Sequence, residues 1–256
     1  VAFLSVTLFF MFRTACLFID KKKGFLATLA GLFLYVLFME SGNQCEGYAL
    51  PFISMSLYLA LKYTRDAERT LHPLSYSLVY GISFAFIFWI RPNDAVAQVG
   101  SIMAGIFILQ LVRKQFKNAI LNALVFLAGC AVITLPLMSY FASRDCLLPL
   151  LDGTFLYNLK YASDNGFPSA QMILMPSFIY GLLIWMSIKR DRKDMIFVFI
   201  PMLILTLMFI GKRDYAHYLI IIVPSALVVF SMTIKEKWNI FMGILLLTIT
   251  IKILTN

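Results

Sequence analysis

Trp89-Ile90-Arg91-Pro92-Asn93-Asp94 separates one apolar run, residues 75–90, from another, residues 95–112. Each run is close to the ~20 residues that a helix needs to cross hydrocarbon, so the polar stretch reads as a tight link between two spans. Pro92 disfavours helical backbone at Arg91, and Asn93 and Asp94 are residue types that cap a following helix. A turn alone accounts for Pro, Asn and Asp. Arg91 is different, because a charge set among apolar spans is costly and by default marks a site. A plain turn and an anion-binding turn therefore stand side by side.

The rest of the chain repeats this pattern. Hydrophobic residues make up 61% of the 256 residues, charged residues 14%, and the mean hydropathy is +0.85. A soluble domain of this length cannot enclose so much apolar surface. About ten apolar runs follow one another, at 1–19, 24–41, 47–62, 75–90, 95–112, 118–141, 171–188, 195–211, 216–234 and 238–254. The expected fold is all-α: a polytopic transmembrane bundle of about ten spans in a single domain, 1–256, with short loops and one longer external loop.

Positive charge orients this bundle. The net charge is +9, but the basic residues lie in short loops between apolar runs, which fits membrane topology rather than a nucleic-acid surface. Lys21 to Lys23, Lys62 with Arg65 and Arg69, Arg113 with Lys114 and Lys117, Lys189 to Lys193, and Lys235 with Lys237 fall in one set of alternate loops. By the positive-inside rule that set is cytoplasmic. Arg91, Arg144, Lys160, Lys212, Arg213 and Lys252 fall on the opposite side, where topology does not ask for them. Arg13 lies within the first run. A first helix cut at its outer end would put Arg13 near the cytoplasmic interface; with Val1 in place of a starting Met, this implies a fragment, or a start placed too late, and at least one span upstream.

Three external segments concentrate polar groups. Residues 40–48 include Gly42, Asn43, Gln44, Glu46 and Gly47. Their amides and carboxylate suit the hydroxyls of a polyhydroxylated ligand, and Glu46 equally suits a helix N-terminus, with Pro51 in the opening turn of that helix. Residues 142–171 mix Arg144, Asp152 and Lys160 with Leu148, Phe155 and Tyr157, as in a segment lying along a membrane surface. Residues 211–218 carry Lys212, Arg213, His217 and Tyr218, with His217 and Tyr218 opening a helix whose N-terminus is a natural anion site. An aromatic belt explains the tyrosines there, but not the three basic side chains together. Cys45 and Cys146 share this side, and both a disulfide and two free thiols remain open. Cys16 and Cys130 read as buried small hydrophobes, and His72, before Pro73, as an interfacial residue.

No Walker loop, dinucleotide fingerprint, HExxH or GxSxG occurs in the chain. Gly42-Asn43-x-x-Glu46-x-Tyr48-Ala49-Leu50-Pro51, then Arg91-Pro92-Asn93, then His217-Tyr218 with Pro224, together resemble the later part of a bacterial GT-C membrane glycosyltransferase. The similarity is to the branch of protein mannosyltransferases and lipid A aminoarabinose transferases. It implies transfer of a sugar from a polyprenyl-phosphate carrier to a glycan, lipid or protein acceptor at the periplasmic or outer face of the inner membrane, in cell-envelope or polysaccharide synthesis. It also implies an acidic catalytic motif in a first external loop, upstream of Val1. Glu46 and Asp94 are candidates to replace that base, but the resemblance favours the upstream motif over either.

In this reading Arg91, Lys212 and Arg213 neutralise the leaving phosphate, Asn43, Glu46, Asn93 and Tyr218 hold sugar hydroxyls, and His217 binds phosphate or sugar. No cofactor is required; a divalent cation on the phosphate is compatible, although no carboxylate cluster demands one. Nucleic acid is not an expected partner. An O-antigen-type polymerase or ligase is the nearest alternative, and a non-catalytic transporter of lipid-linked glycans comes from a different class. The transporter is disfavoured by the lack of an inverted repeat with interrupted helices. The sequence alone further predicts that Arg91→Ala abolishes transfer without disturbing the fold.

Overall fold

The computed structural model describes residues 1–39, 44–66, 70–157, 160, 170–189, 192–209 and 216–235. These are helical nearly throughout, and no strand occurs among them. Helices α1 (Ala2–Ala15), α2 (Lys21–Phe38), α3 (Cys45–Arg65), α4 (Leu74–Ile90), α5 (Pro92–Val112) and α6 (Phe116–Ala142) are followed by α7 (Leu147–Leu156), α8 (Ala170–Lys189), α9 (Ile196–Phe209) and α10 (Val223–Lys235). Nine of the ten expected runs thus meet helices, and the run at 238–254 lies outside the described residues. Two helices, α5 and α6, are long and apolar enough to cross a membrane.

Local chemistry explains the boundaries. Asp20 caps α2 by accepting the Lys23 amide at 3.0 Å, which draws the three lysines into the first turn. Gln44 starts α3 earlier than expected, so Pro51 lies in the second turn rather than the opening one. Arg91 is extended, with φ −158°, as Pro92 requires. Pro92 takes the first helical position of α5, so Asn93 and Asp94 fall inside its first turn instead of capping it. Lys114, at φ 57°, closes α5 with the Gln115 amide on the Gln110 carbonyl at 2.8 Å, a left-handed stop before α6.

The core surrounds α5. Val99, Ile102 and Ile106 are fully enclosed, and the Phe197 ring of α9 lies against Gly105. The apolar window of α5 is 61% buried, whereas that of α6 is only 11% buried. α6 leaves Ile120, Leu124, Leu127 and Leu135 exposed along its length. Its inner face is devoted to α4, with Gly81 and Gly129 at the crossing. A Cβ at Gly129 would stand 2.5 Å from the Leu78 carbonyl oxygen and 3.0 Å from the Gly81 Cα, both backbone atoms that cannot step aside. Trp89 Nε1 donates to Thr134 Oγ1 at 3.1 Å near the far end of the same pair.

These two kinds of glycine site predict opposite signs. Gly129→Ala forces α4 and α6 apart and costs about 2 kcal/mol or more. Gly181→Ala in α8 meets nothing within 4 Å and gains about 0.5–1 kcal/mol from backbone entropy. Thermal unfolding of the solubilised protein with each substitution checks both signs.

Candidate functional site

Two polar clusters lie at opposite ends of the α3–α4 pair. The first joins Glu46, in the opening turn of α3, to the α4–α5 link. Because α3 and α4 are neighbours and α4 ends at Ile90, Arg91 arrives beside the start of α3. Its guanidinium ion-pairs with Glu46, and its Nε lies 3.6 Å from Asp94 Oδ1. The Glu46 and Asp94 side chains are 3% and 0% exposed, and Arg91 is the outermost member at 19%. Both carboxylates occupy the first turn of a helix, where the backbone dipole favours negative charge. Asn93 is half-buried on the same link.

Among the described residues, two carboxylates face this one guanidinium. This changes what Arg91 can do. A cation already matched by two anions does not attract a free phosphate as a lone arginine would. Its donors remain suited to neutral hydroxyl oxygens. Removing the cation takes a partner from two enclosed carboxylates, so Arg91→Ala is expected to disturb the fold as well as the site.

The other expected site residues are placed less closely. Asn43, Lys212 and Arg213 lie outside the described residues. His217 and Tyr218 belong to the 3₁₀ segment Ala216–Ile222, which packs on α3, and the α-helix starts only at Val223. They therefore do not open the helix. Pro224 takes the second helical position, where its missing N–H is harmless, and so sets that start. Helix α7 does return to the Arg91 end, with the Phe155 ring 5.7 Å from Phe88 and with Leu148, Leu156 and Tyr157 exposed. Cys45 and Cys146 are exposed free thiols. Among the described residues no group of three or more His, Cys, Asp or Glu side chains is placed to hold a metal ion.

The second cluster was not legible as a site. His72, expected at an interface, is 1% exposed. Its Nδ1 donates to Asn122 Oδ1 at 2.8 Å, an oxygen that also accepts Ser77 Oγ at 2.5 Å. Asn118 Oδ1 accepts the His72 amide at 3.2 Å and Gln110 Nε2 at 2.6 Å, while Asn118 Nδ2 donates to the His72 carbonyl at 3.3 Å. Tyr63, Tyr76 and Tyr80 surround the imidazole. Asn118 and Asn122 are four apart on α6, one helical turn, so together they bracket the connection between α3 and α4. The signal in the sequence is that pair of asparagines, four apart near the start of a mostly apolar helix.

Comparison of the chain with protein-family models, with curated proteins and with solved structures finds no match. The class is set by the fold and the site alone: an all-helical chain of membrane-protein character, with a buried acidic–basic cluster at one end of its central helices.

Two predictions follow from the clusters. Arg91→Ala lowers stability by about 3–5 kcal/mol, and adding Glu46→Gln and Asp94→Asn recovers much of that loss, since the stranded charges then vanish. Burial lowers the His72 pKa to about 4, against the Asn122 hydrogen bond, which acts in the opposite direction. The native state therefore resists a proton that the unfolded chain accepts near pH 6.5. Stability is full above that pH and falls by roughly 3 kcal/mol as pH drops from about 6.5 to about 4. Replacing the imidazole by His72→Gln removes this component, which unfolding of both proteins across that range measures by difference.

Proposed function

We propose that the chain is an integral-membrane glycosyltransferase that moves a sugar from a polyprenyl-phosphate carrier to an acceptor at the periplasmic face of a bacterial inner membrane. One observation carries this reading. Glu46 and Arg91, from two of the three turns on which the resemblance rests, meet in one enclosed cluster although 45 positions separate them. The alternation of basic and non-basic loops puts that cluster on the outer side, and the bare apolar face of α6 fits contact with lipid. In this reading the remaining apolar helices complete a polytopic bundle, the form in which a membrane-spanning backbone satisfies its own hydrogen bonds.

Within this proposal Glu46 and Asp94 fix the guanidinium, and Arg91 with Asn93 holds hydroxyl groups of the sugar or acceptor. The phosphate charge falls to Lys212 and Arg213, with His217 on phosphate or sugar and Tyr218 on sugar hydroxyls. Helix α7, with its exposed Leu148, Leu156 and Tyr157, lies against lipid headgroups next to the cluster.

The test is transfer from a polyprenyl-phosphate hexose in proteoliposomes, with product length measured. Addition of single sugars supports the proposal; joining of whole repeat units supports a polymerase, and movement of the lipid across the bilayer without transfer supports a transporter. Arg91→Lys keeps the charge, and hence the fold, but cannot serve two carboxylates and a ligand with one planar fork. It reduces transfer by about 10-fold or more, and unchanged turnover would remove Arg91 from the site.

A further inference from the structure

Helices α1 and α3 run side by side in the same direction: Phe3 packs on Tyr48 near one end and Phe10 on Tyr58 near the other. Their last turns therefore arrive together, and each brings a cation, Arg13 from α1 and Lys62 from α3. Both cations meet one ring. The Arg13 guanidinium lies 5.6 Å and the Lys62 ammonium 5.9 Å from the Tyr58 ring centre, and Arg13 Nη2 donates to the Tyr58 hydroxyl at 3.0 Å. The ring and the helix-end carbonyls favour a cation here. They supply no full negative charge, however, and two like charges beside one ring repel each other.

The acids around this end are already engaged. Asp20 pairs with Lys23 at 3.2 Å, and Asp194 pairs with Arg65 at 3.4 Å. Among the described residues no carboxylate pairs with Arg13 or Lys62, and the Lys62 ammonium makes no hydrogen bond. Arg13 is exposed and Lys62 half-buried, so an outside molecule can reach both. The Tyr58 hydroxyl accepts from Arg13, which leaves its own proton to donate. The unused groups are thus all donors, and two of the three side chains are cationic. An acceptor-only anion such as a phosphodiester matches them. One and two turns back along α1, Phe9 and Val6 stand exposed and present an apolar strip leading away from Arg13.

We infer that Arg13, Tyr58 and Lys62 bind the phosphodiester of an anionic glycerophospholipid, whose acyl chains lie along Phe9 and Val6. The inference rests on the membrane placement proposed above, with this end at the cytoplasmic leaflet, and not on sugar transfer. A choline headgroup would bring a third cation to the site, whereas a glycerol headgroup brings none.

Native mass spectrometry of the detergent-solubilised chain, titrated with phosphatidylglycerol or with phosphatidylcholine of the same acyl chains, tests this. The unaltered chain binds phosphatidylglycerol about 10-fold more tightly, and equal affinities would overturn the inference whatever any variant does. Arg13→Gln with Lys62→Gln removes that preference. Lys114→Gln with Lys117→Gln takes the same charge from another basic loop and leaves the preference intact; equal losses in the two pairs would reduce the site to general attraction between charges. Tyr58→Phe keeps the ring and weakens phosphatidylglycerol by about 3-fold. A lower thermal midpoint of the Arg13/Lys62 pair with unchanged affinity would make the role structural and overturn the inference. Glycerol 3-phosphate does not displace the lipid; displacement would mark a site for soluble phosphates instead. A chain that prefers phosphatidylglycerol but transfers no sugar leaves this site standing while the transferase reading falls, and transfer without that preference does the reverse.

Discussion

An arginine enclosed by apolar helices is stable only where carboxylates meet it, and here that requirement falls on residues from two distant parts of the chain. Glu46 begins α3 and Asp94 begins α5, while Arg91 lies between α4 and α5. Pairing them fixes the height of α3 against α4, because a slip by one residue would leave a charge inside the protein without its partner. Pro92 makes the arrangement possible by holding Arg91 extended, which turns its side chain off the axis of α4 and toward the other two. Helix-end dipoles favour both carboxylates where they stand. The register of the central helices and the chemistry of the candidate site thus have one cause.

The opposite end of α4 is held by a different device. There the groups are neutral: two asparagines of α6 hold both backbone groups of His72, and the imidazole packs among tyrosines. Between the two ends, α4 and α6 touch backbone to backbone through Gly81 and Gly129. Close approach of this kind is how helices associate where the surroundings are as apolar as their side chains. A charged clamp at one end, a neutral bracket at the other and a glycine crossing between them leave little freedom for α4. The site at Arg91 therefore stands on a rigid element, as a binding cluster requires.

Much of this was readable from local chemistry. The break at Pro92, the extended Arg91 and nearly all helices follow from apolar runs and from proline and capping residues. Readings failed where neighbours in space decide. Helix α3 began ahead of the start expected from Pro51, and α10 began later than expected, at Val223 just before Pro224, because a proline tolerates more than one place near an N-terminus. His72 resembled a loop residue at an interface because nothing near it in sequence announces Asn118 or Asn122. The charge of Arg91 was legible, but its neutralisation was not.

By itself the sequence determined the helical class, the membrane-like composition and the position of the polar break, since these depend on hydropathy, periodicity and the restricted backbone of proline. It also marked Glu46 and Arg91 as charges out of keeping with their surroundings. Only the tertiary structure decided that these charges meet and that a second carboxylate joins them. It alone enclosed His72 between two asparagines. The reason is physical: hydropathy is a property of each residue, whereas charge balance and hydrogen-bond satisfaction belong to sets of residues that the fold brings together.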